Sequence, residues 1–234
     1  MGNGAKHRAE LGSWAEQHCL ADDSYDGNIS SRNRTLNEAT VLHMLLHDIM
    51  PRTKADYYGL CHYRRFLNAA SVELLEKSDF DIICAPSIPM KVFGQPVDVA
   101  TQYAICHYAS DLNLLRDTLN AHGLLDEGTW SKWLGLSILF APCNIFVAKK
   151  EVFKEHASAL LDVAVDIDSQ LNVSRRDNYQ KRAASFLTER ANSYLMFKAL
   201  EQEKWHIGEA SIEEHLDWKP EDAKDQRGIY SDGE

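Results

Sequence analysis

Four residues suited to binding an anion, His62, Tyr63, Arg64 and Arg65, follow the apolar part of the segment ADYYGLCHYRRF. The apolar part reads as a strand buried on both faces, and open α/β sheets bind ligands beyond the carboxyl ends of their strands. Adjacent arginines repel each other, so they require anionic partners, either protein carboxylates or a ligand phosphate that accepts paired N–H bonds. From this segment alone, both alternatives stand.

A second group of candidates lies in the segment DGNIS and in the first turn of the helix that follows it. Asn28 and Ser30 have the side chains of ordinary turn residues. Glu38 at the positive end of a helix contributes about 0.3–1 kcal/mol through the helix dipole alone. A role in ligand binding is the alternative for all three residues.

His107 and Asp111 are four residues apart, so on a continuous helix they would share a face. A carboxylate in that position orients an imidazole for proton transfer. A solvent-exposed pair, or Asp111 acting only as a helix cap, is the structural alternative.

Polar residues also interrupt two apolar segments in the second half of the chain. Asn144 stands at the start of a buried strand, where its amide needs partners from the backbone or from a ligand. Arg182, Glu189 and Arg190 interrupt the apolar face of the last helix. Glu189 is a candidate base, and a buried Glu–Arg pair that braces the core explains it equally well.

The apolar spacing indicates which elements position these residues. The expected helices are Thr35 to Pro51, the stretch SVELLEKS, VATQYAICHYASDLNLLRDTLNAHG with a break near Ser110, about Lys150 to Asn172, and about Tyr179 to Lys204. The expected strands are the apolar part of ADYYGLCHYRRF, FDIICAPS, NIFVAK and an edge strand at WHIGEA, with a loop or edge hairpin at IPMKVFGQPVDV. Helix followed by strand, twice over, predicts an α/β fold.

Composition bounds the organisation and the partners of the chain. With 234 residues and 44% hydrophobic composition, we expect a single domain over residues 1–216, with a short helix at Ala9 to His18, and a polar tail at 217–234. The net charge of −10 argues against nucleic acid as a partner. No apolar run approaches the roughly 20 residues that span a bilayer, and no signal peptide is evident, so we expect a cytoplasmic protein.

The cysteines and acidic triplets give no metal signature. The five cysteines are widely spaced, which favours buried reduced thiols over disulfides or a zinc site. The triplets Asp79–Asp81 and Asp166–Asp168 do not follow a strand, where a divalent cation and a diphosphate would be held. We therefore expect no resident metal, and Mn or Mg stays a disfavoured alternative.

Four segments in order resemble a known family: DGNISSRNRTLNEATVLHMLLHDI, ADYYGLCHYRRF, CNIFVAKKEVFKEH and NYQKRAASFLTERANSYL. They are similar to the DUF4422-type bacterial proteins of capsular polysaccharide and exopolysaccharide biosynthesis, which are regarded as glycosyltransferase-like. The resemblance covers about residues 22–200. It implies a GT-A-like α/β domain, with a mixed, mainly parallel sheet flanked by helices, that transfers a sugar from a nucleotide diphosphate.

The resemblance also implies partners and site residues. The donor would be a UDP-sugar and the acceptor a capsular, exopolysaccharide or lipid-linked glycan, which is compatible with peripheral membrane association through the acceptor. The implied catalytic residues are Glu189, Glu38, Asp111 and His107. The implied donor-binding residues are Asn28, Ser30, His62, Tyr63, Arg64 and Arg65, and further site residues are Asn144, Arg182 and Arg190. Arginine charge would then support the departing diphosphate in place of a cation.

One departure from the family pattern leaves other functions open. Members of the family open with a strand that ends in a Thr-His-Lys-like turn, and the first 20 residues contain no such strand. The alternatives are a non-catalytic remnant that binds nucleotide-sugar or glycan, and a structural subunit of a polysaccharide assembly complex.

Overall fold

A computed structural model describes residues 20–62 and 65–214. Tyr63 and Arg64 lie outside the described residues, as do the expected helix at Ala9 to His18, the segment of the family's opening strand and the tail at 217–234. Within the described ranges, no helix is long and apolar enough to cross a membrane.

Helices make up most of the described structure. The α-helices are α1 (Asn33–Leu36), α2 (Glu38–Met44), α3 (Met50–Arg52), α4 (Ala69–Lys77), α5 (Val99–Cys106), α6 (Ser110–Ala121), α7 (Glu127–Leu134), α8 (Lys150–Gln170) and α9 (Ala183–Glu201). A π-helical turn at Leu45–Ile49 joins α2 to α3, and short 3₁₀ turns lie at Ser30–Arg32, Pro142–Asn144 and Gln180–Arg182.

The central sheet of the described residues has the strand order β1-β8-β3-β9. Its strands are β1 (Tyr57–Leu60), β3 (Ile82–Cys84), β8 (Phe146–Lys149) and β9 (Ile207–Glu209). Two-strand pairs are formed by β2 (Arg65–Leu67) with β10 (Ile212–Glu214), by β4 (Ile88–Pro89) with β7 (Ile138–Leu139), and by β5 (Lys91–Val92) with β6 (Gln95–Pro96). The chain thus has the expected α/β architecture with helices against a mixed sheet.

The direction of β8 differs from the expectation of a mainly parallel sheet. β8 runs antiparallel to both β1 and β3, and only β3 and β9 pair in parallel. The register pairs Leu60 with Phe146 and Phe146 with Cys84. As a result, β1 and β3 end at the same edge of the sheet, and β8 begins there. We call this edge the carboxyl edge.

The core lies on both faces of the sheet because neighbouring residues of each strand point to opposite sides. Phe146 and Ala148 pack into the main core with α8 and α9, whereas Val147 joins a smaller cluster with Leu75 of α4 on the other face. In the main core, the rings of Phe146 and Phe153 lie 5.5 Å apart. The larger helical layer therefore covers one face and α4 the other.

Several sequence expectations need correction in detail. The helix expected from Thr35 to Pro51 is interrupted at Asn37, which has a positive φ of 45°, and its last turn contains Pro51 instead of ending there. β1 is not buried on both faces: in the described part of the sheet it is an edge strand, and Gly59 is exposed. The segment GTWSKWLGL, for which no element was expected, contributes α7.

The other expected elements are present. Broken helices α5 and α6, strand β8, helices α8 and α9, the hairpin of β5 and β6, and the edge strand β9 all lie in the predicted segments. The cysteines among the described residues are free, as expected, although Cys61 is exposed and only Cys84 is fully buried.

Gly59 tests the close pairing of β1 with β8. A Cβ at this position would lie 2.9 Å from the carbonyl oxygen of Phe146 and 3.3 Å from the Cβ of Val147. We expect Gly59→Ala to lower the free energy of unfolding by about 1–3 kcal/mol, because backbone must move to accept the methyl group. Urea denaturation measures the change.

Gly135→Ala is the matched control. Gly135 has a negative φ of −81° at the end of α7, and the nearest atom to its added Cβ lies at 3.6 Å. We expect a change within about 0.5 kcal/mol. Equal stability of the Gly59→Ala and Gly135→Ala proteins would contradict the tight pairing.

Candidate functional site

Charged and polar side chains converge at the carboxyl edge from elements that are distant in sequence. Strand β1 ends next to His62, β2 begins at Arg65, and the turn before β8 carries Cys143 and Asn144. Helix α2 begins at Glu38, and the amino-terminal half of α9 brings further charges. We define the edge cluster as Glu38, His62, Arg65, Cys143, Arg182, Glu189 and Arg190.

The turn before β8 has an unusual backbone. Ala141, Cys143 and Asn144 have positive φ values of 47°, 61° and 53°, although none is glycine. Such conformations cost on the order of 1 kcal/mol each and persist where the surroundings hold them. Here the Asn192 amide donates to the Ala141 carbonyl at 2.9 Å, and Asn192 is itself hydrogen-bonded to the buried His156 at 2.8 Å. Side chains of α8 and α9 thus hold this turn in place.

Glu189 holds the same turn from α9. One of its carboxylate oxygens accepts the Cys143 backbone N–H at 2.7 Å, and the other accepts a hydrogen bond from Arg190 at 2.8 Å. Arg190 is only 4% exposed and also donates to Gln102 at 2.9 Å. The predicted alternative of a Glu–Arg pair that braces the core therefore describes the geometry of these two residues.

Glu38 has a different environment from Glu189. Its carboxylate lies 3.5 Å from Nε2 of His62, and its side chain is 20% exposed. Burial raises the pKa of Glu38 above its ordinary value, and the negative charge of Glu189 raises it further, whereas its own backbone hydrogen bond and Arg182 lower it. Glu38 thus has a raised proton affinity.

The position of Glu38 depends on the break in the preceding helix. Asn37, with its positive φ, ends α1 and starts α2, so the helix restarts at Glu38. The Asn37 side chain donates to the Ser185 hydroxyl at 2.5 Å, which ties the break to α9. This contact places Glu38 beside the start of α9, where Arg182 lies.

Arg65 is the described member of the predicted arginine pair. It is exposed at the start of β2, and its guanidinium contacts the Cys143 sulfur at 3.5 Å. Burial raises the pKa of the Cys143 thiol to about 11, with a further rise from Glu189, so the sulfur is a protonated thiol at neutral pH. Because Arg64 lies outside the described residues, the choice between carboxylate and ligand partners for the pair stays a prediction.

Asn144 has an amide oxygen that is buried and has no hydrogen-bond partner within the described ranges. The side chain is 5% exposed and lies directly after Cys143 in the strained turn. A buried unpaired acceptor costs about 1–3 kcal/mol, so its retention next to the edge cluster favours a functional reason.

His107 and Asp111 do not share a helical face, because the helical segment breaks near Ser110, as predicted. α5 ends at Cys106 and α6 begins at Ser110, so the chain breaks between them. Arg176 binds the Asp111 carboxylate through two hydrogen bonds of 2.7 Å each. Asp111 is 3% exposed and serves as half of an ion pair. This geometry favours a structural role for it.

The His107 ring lies among aromatic rings beside the edge cluster. Its Nδ1 faces the Gln180 side-chain oxygen at 3.4 Å, and its ring centroid lies 4.3 Å from that of Phe186. Burial lowers the pKa of His107 to about 4, with a further lowering by Arg190, so the imidazole is neutral at physiological pH. It can accept or donate one hydrogen bond but carries no charge into the site.

Asn28 and Ser30 form a local turn, as the structural alternative predicts. The Asn28 side-chain oxygen accepts from the Ser30 hydroxyl at 2.6 Å and from its backbone N–H at 3.2 Å. The Asn28 amide donates to the Tyr25 carbonyl at 2.8 Å. These contacts occupy both side chains within their own loop.

The acidic triplets have structural partners. Asp81 precedes β3 and binds Lys149 at 2.9 Å, and Asp168 in α8 binds Arg32. Neither triplet follows a strand of the central sheet, which agrees with their placement in the sequence analysis.

The family model of a domain of unknown function, DUF4422, matches residues 5–199. The chain belongs to the DUF4422 family. The match begins well before residue 22, so it includes part of the amino-terminal segment in which no opening strand was evident.

A solved structure described as the apo form of the WbbM bifunctional glycosyltransferase has the same fold as this DUF4422 chain. The TM-score is 0.71 at 16% sequence identity, and the similarity covers 85% of this chain and 39% of the other. The DUF4422 chain thus spans well under half of the length of that protein. A search of curated proteins gives no match.

Sequence reasoning missed several residues that shape this DUF4422 site. Asn192 and His156 hold the strained turn, and Arg176 neutralises Asp111. A polar pair inside the apolar faces of α8 and α9 is a weak sequence signal for such buried contacts. No local signal indicates that Arg176 reaches Asp111 across the fold.

The electrostatic coupling between Glu38 and Arg182 is testable. We expect Arg182→Gln to raise the pKa of Glu38 further, because the guanidinium now favours the ionised carboxylate. Carbon-detected NMR titration of the Glu38 carboxyl measures this pKa. Lys181→Gln, which removes a neighbouring positive charge, is the control. An unchanged or lowered Glu38 pKa in the Arg182→Gln protein would contradict the geometry.

The same titration has a consequence for stability. Because the folded-state pKa of Glu38 is raised, its stabilising contribution is complete below the ordinary glutamate pKa and is lost as the pH rises through the raised value. The stability of Glu38→Gln relative to the native protein should therefore increase with pH across that window.

Proposed function

We propose that this chain is a glycosyltransferase domain that moves a sugar from a nucleotide diphosphate donor to a hydroxyl group of a glycan. The glycosyltransferase fold supports this class of reaction. The observation that carries the proposal is the edge cluster, in which Glu38, His62 and Arg182 interact at the carboxyl edge of the sheet. Ligand crevices of α/β sheets lie at this edge.

Glu38 is the proposed base that removes the proton from the acceptor hydroxyl. Its raised pKa suits a group that must accept and hold a proton, and Nε2 of His62 lies 3.5 Å from its carboxylate. Glu189 is less suited because both of its oxygens already accept hydrogen bonds. The bidentate contact with Arg176 similarly occupies Asp111.

The departing diphosphate is proposed to bind on the strand side of the cluster. Arg65 at the start of β2, together with Arg64, supplies positive charge directly after β1. Preorganised guanidinium groups stabilise charge that develops on phosphate oxygens. On this proposal the arginines take the place that a divalent cation holds in other enzymes.

The finer identity of the substrates follows the family resemblance. We propose a UDP-sugar as the donor and a capsular, exopolysaccharide or lipid-linked glycan as the acceptor. The similarity of this chain to 39% of a bifunctional glycosyltransferase supports a role as one catalytic unit.

A nucleotide-release assay tests the reaction. With a panel of UDP- and GDP-sugars, we expect the native protein to release nucleotide and Glu38→Gln to lose about 10²- to 10⁴-fold in turnover, because the base is removed. Glu76→Gln, an exposed glutamate of α4, is the matched control and should keep native turnover. Full activity of the Glu38→Gln protein would contradict the assigned base.

The same assay distinguishes the rival functions and the role of the arginines. Binding of a nucleotide-sugar in calorimetry without turnover would favour a non-catalytic remnant, and neither binding nor turnover would favour a structural subunit. Persistence of turnover in EDTA is expected when arginines support the diphosphate. Complete loss in EDTA that manganese restores would contradict the metal-free version.

A further inference from the structure

Tyr179 is a large aromatic side chain that the fold leaves 38% exposed beside the edge cluster. Its ring centroid lies 4.9 Å from that of Phe186, and the ring stacks on His107 at 5.9 Å with an interplanar angle of 18°. Phe186 is itself partly exposed. These rings form an aromatic surface with a packed back and an open front.

The backbone under this surface is firmly held. The Asp177 carboxylate accepts the backbone N–H groups of both Tyr179 and Gln180 at 2.8 Å. The fully buried Gln180 donates to the Cys106 carbonyl at 3.0 Å, which anchors the turn to the end of α5. Tyr179 is thus exposed on a rigid support, as expected of a side chain that meets a ligand with little loss of conformational freedom.

A cation borders the aromatic surface on the side of Glu38. The Arg182 guanidinium lies 5.7 Å from the Phe186 ring centroid, and the Arg182 side chain is exposed. Arg182 also acts electrostatically on both Glu38 and Tyr179, so it lies near the proposed base as well as near the aromatic rings. We define the acceptor platform as Tyr179, Phe186 and Arg182.

We propose that the acceptor platform binds a pyranose ring of the acceptor glycan, with the sugar face on Tyr179 and a negatively charged substituent near Arg182. The inference rests on the proposed function, because it assigns the acceptor side of that same site. An aromatic face carries partial negative charge and attracts the polarised C–H bonds of a sugar face. A guanidinium pairs with carboxylate or phosphate through two N–H donors.

The position relative to the base favours the acceptor over the donor. The base must contact the acceptor hydroxyl, and the platform lies on the helix side of the cluster with Glu38 and Arg182. Arg65 and Cys143 lie instead on the strand side, where the diphosphate is proposed to bind. The chain has a net charge of −10, so an acidic acceptor requires a local cation such as Arg182.

Saturation-transfer NMR tests the platform without any donor. The probes are the methyl glycosides of glucose, galactose, mannose and glucuronic acid, with UDP as a separate probe. We expect Tyr179→Ala to weaken binding of the glycosides about threefold to tenfold, Tyr179→Phe to retain most of it, and Arg182→Gln to weaken the glucuronide selectively. Phe93→Ala, which removes the 89%-exposed ring of the β5–β6 hairpin, should bind as the native protein does.

Three results would overturn the inference. Native-level glycoside binding by Tyr179→Ala would exclude the platform as a sugar site, and loss of UDP binding alone would make Tyr179 a base-stacking residue of the donor site. If none of the glycosides shows saturation transfer with the native protein, the proposed platform would also be contradicted.

These outcomes remain distinguishable from failure of the proposed function. Glycoside binding that depends on Tyr179 in a protein without nucleotide-sugar turnover would support the platform and contradict the transferase. Turnover by the native protein with no effect of Tyr179→Ala on glycoside binding would contradict the platform alone.

Discussion

The hydrogen bonds of the Glu189 carboxylate are the constraint on which the site depends. One oxygen fixes the Cys143 amide in a turn with three left-handed non-glycine residues, and the other neutralises the buried Arg190. Without this carboxylate, Arg190 would be an uncompensated buried charge, and breaking such pairs costs about 3–5 kcal/mol. The Glu189 carboxylate therefore helps to fix the start of β8 against the first half of α9, together with the bond from Asn192 to the Ala141 carbonyl.

The charge of Glu189 also acts on Glu38, although burial is the larger cause of the raised pKa of Glu38. Two carboxylates share the carboxyl edge in different surroundings. Both oxygens of Glu189 accept hydrogen bonds. Glu38 is largely buried, its carboxylate faces His62, and the negative charge of Glu189 raises its pKa. Glu189 thus has a structural role, and Glu38 is the carboxylate that is proposed to take the proton.

Local sequence patterns predicted the elements but not the contacts that turn them into a site. Apolar runs located β1, β3, β8, α8 and α9 because burial alone dictates such runs. The break at Asn37 depends on Ser185, 148 residues away, and the antiparallel direction of β8 depends on pairing across the sheet. The Glu189–Arg190 pair is one of two alternatives that the sequence left open, whereas the break near Ser110, which separates His107 from Asp111, is predicted by the local pattern.

The central claim, that the carboxyl edge binds the sugar nucleotide, is tested most directly by amide NMR of the labelled protein titrated with UDP and GDP. The account predicts shifts at His62, Cys143 and Asn144, and unchanged signals at Trp205, which lines a cavity of about 90 Å³ beside the opposite edge. Shifts concentrated at Trp205, or no shifts with either nucleotide, would contradict it.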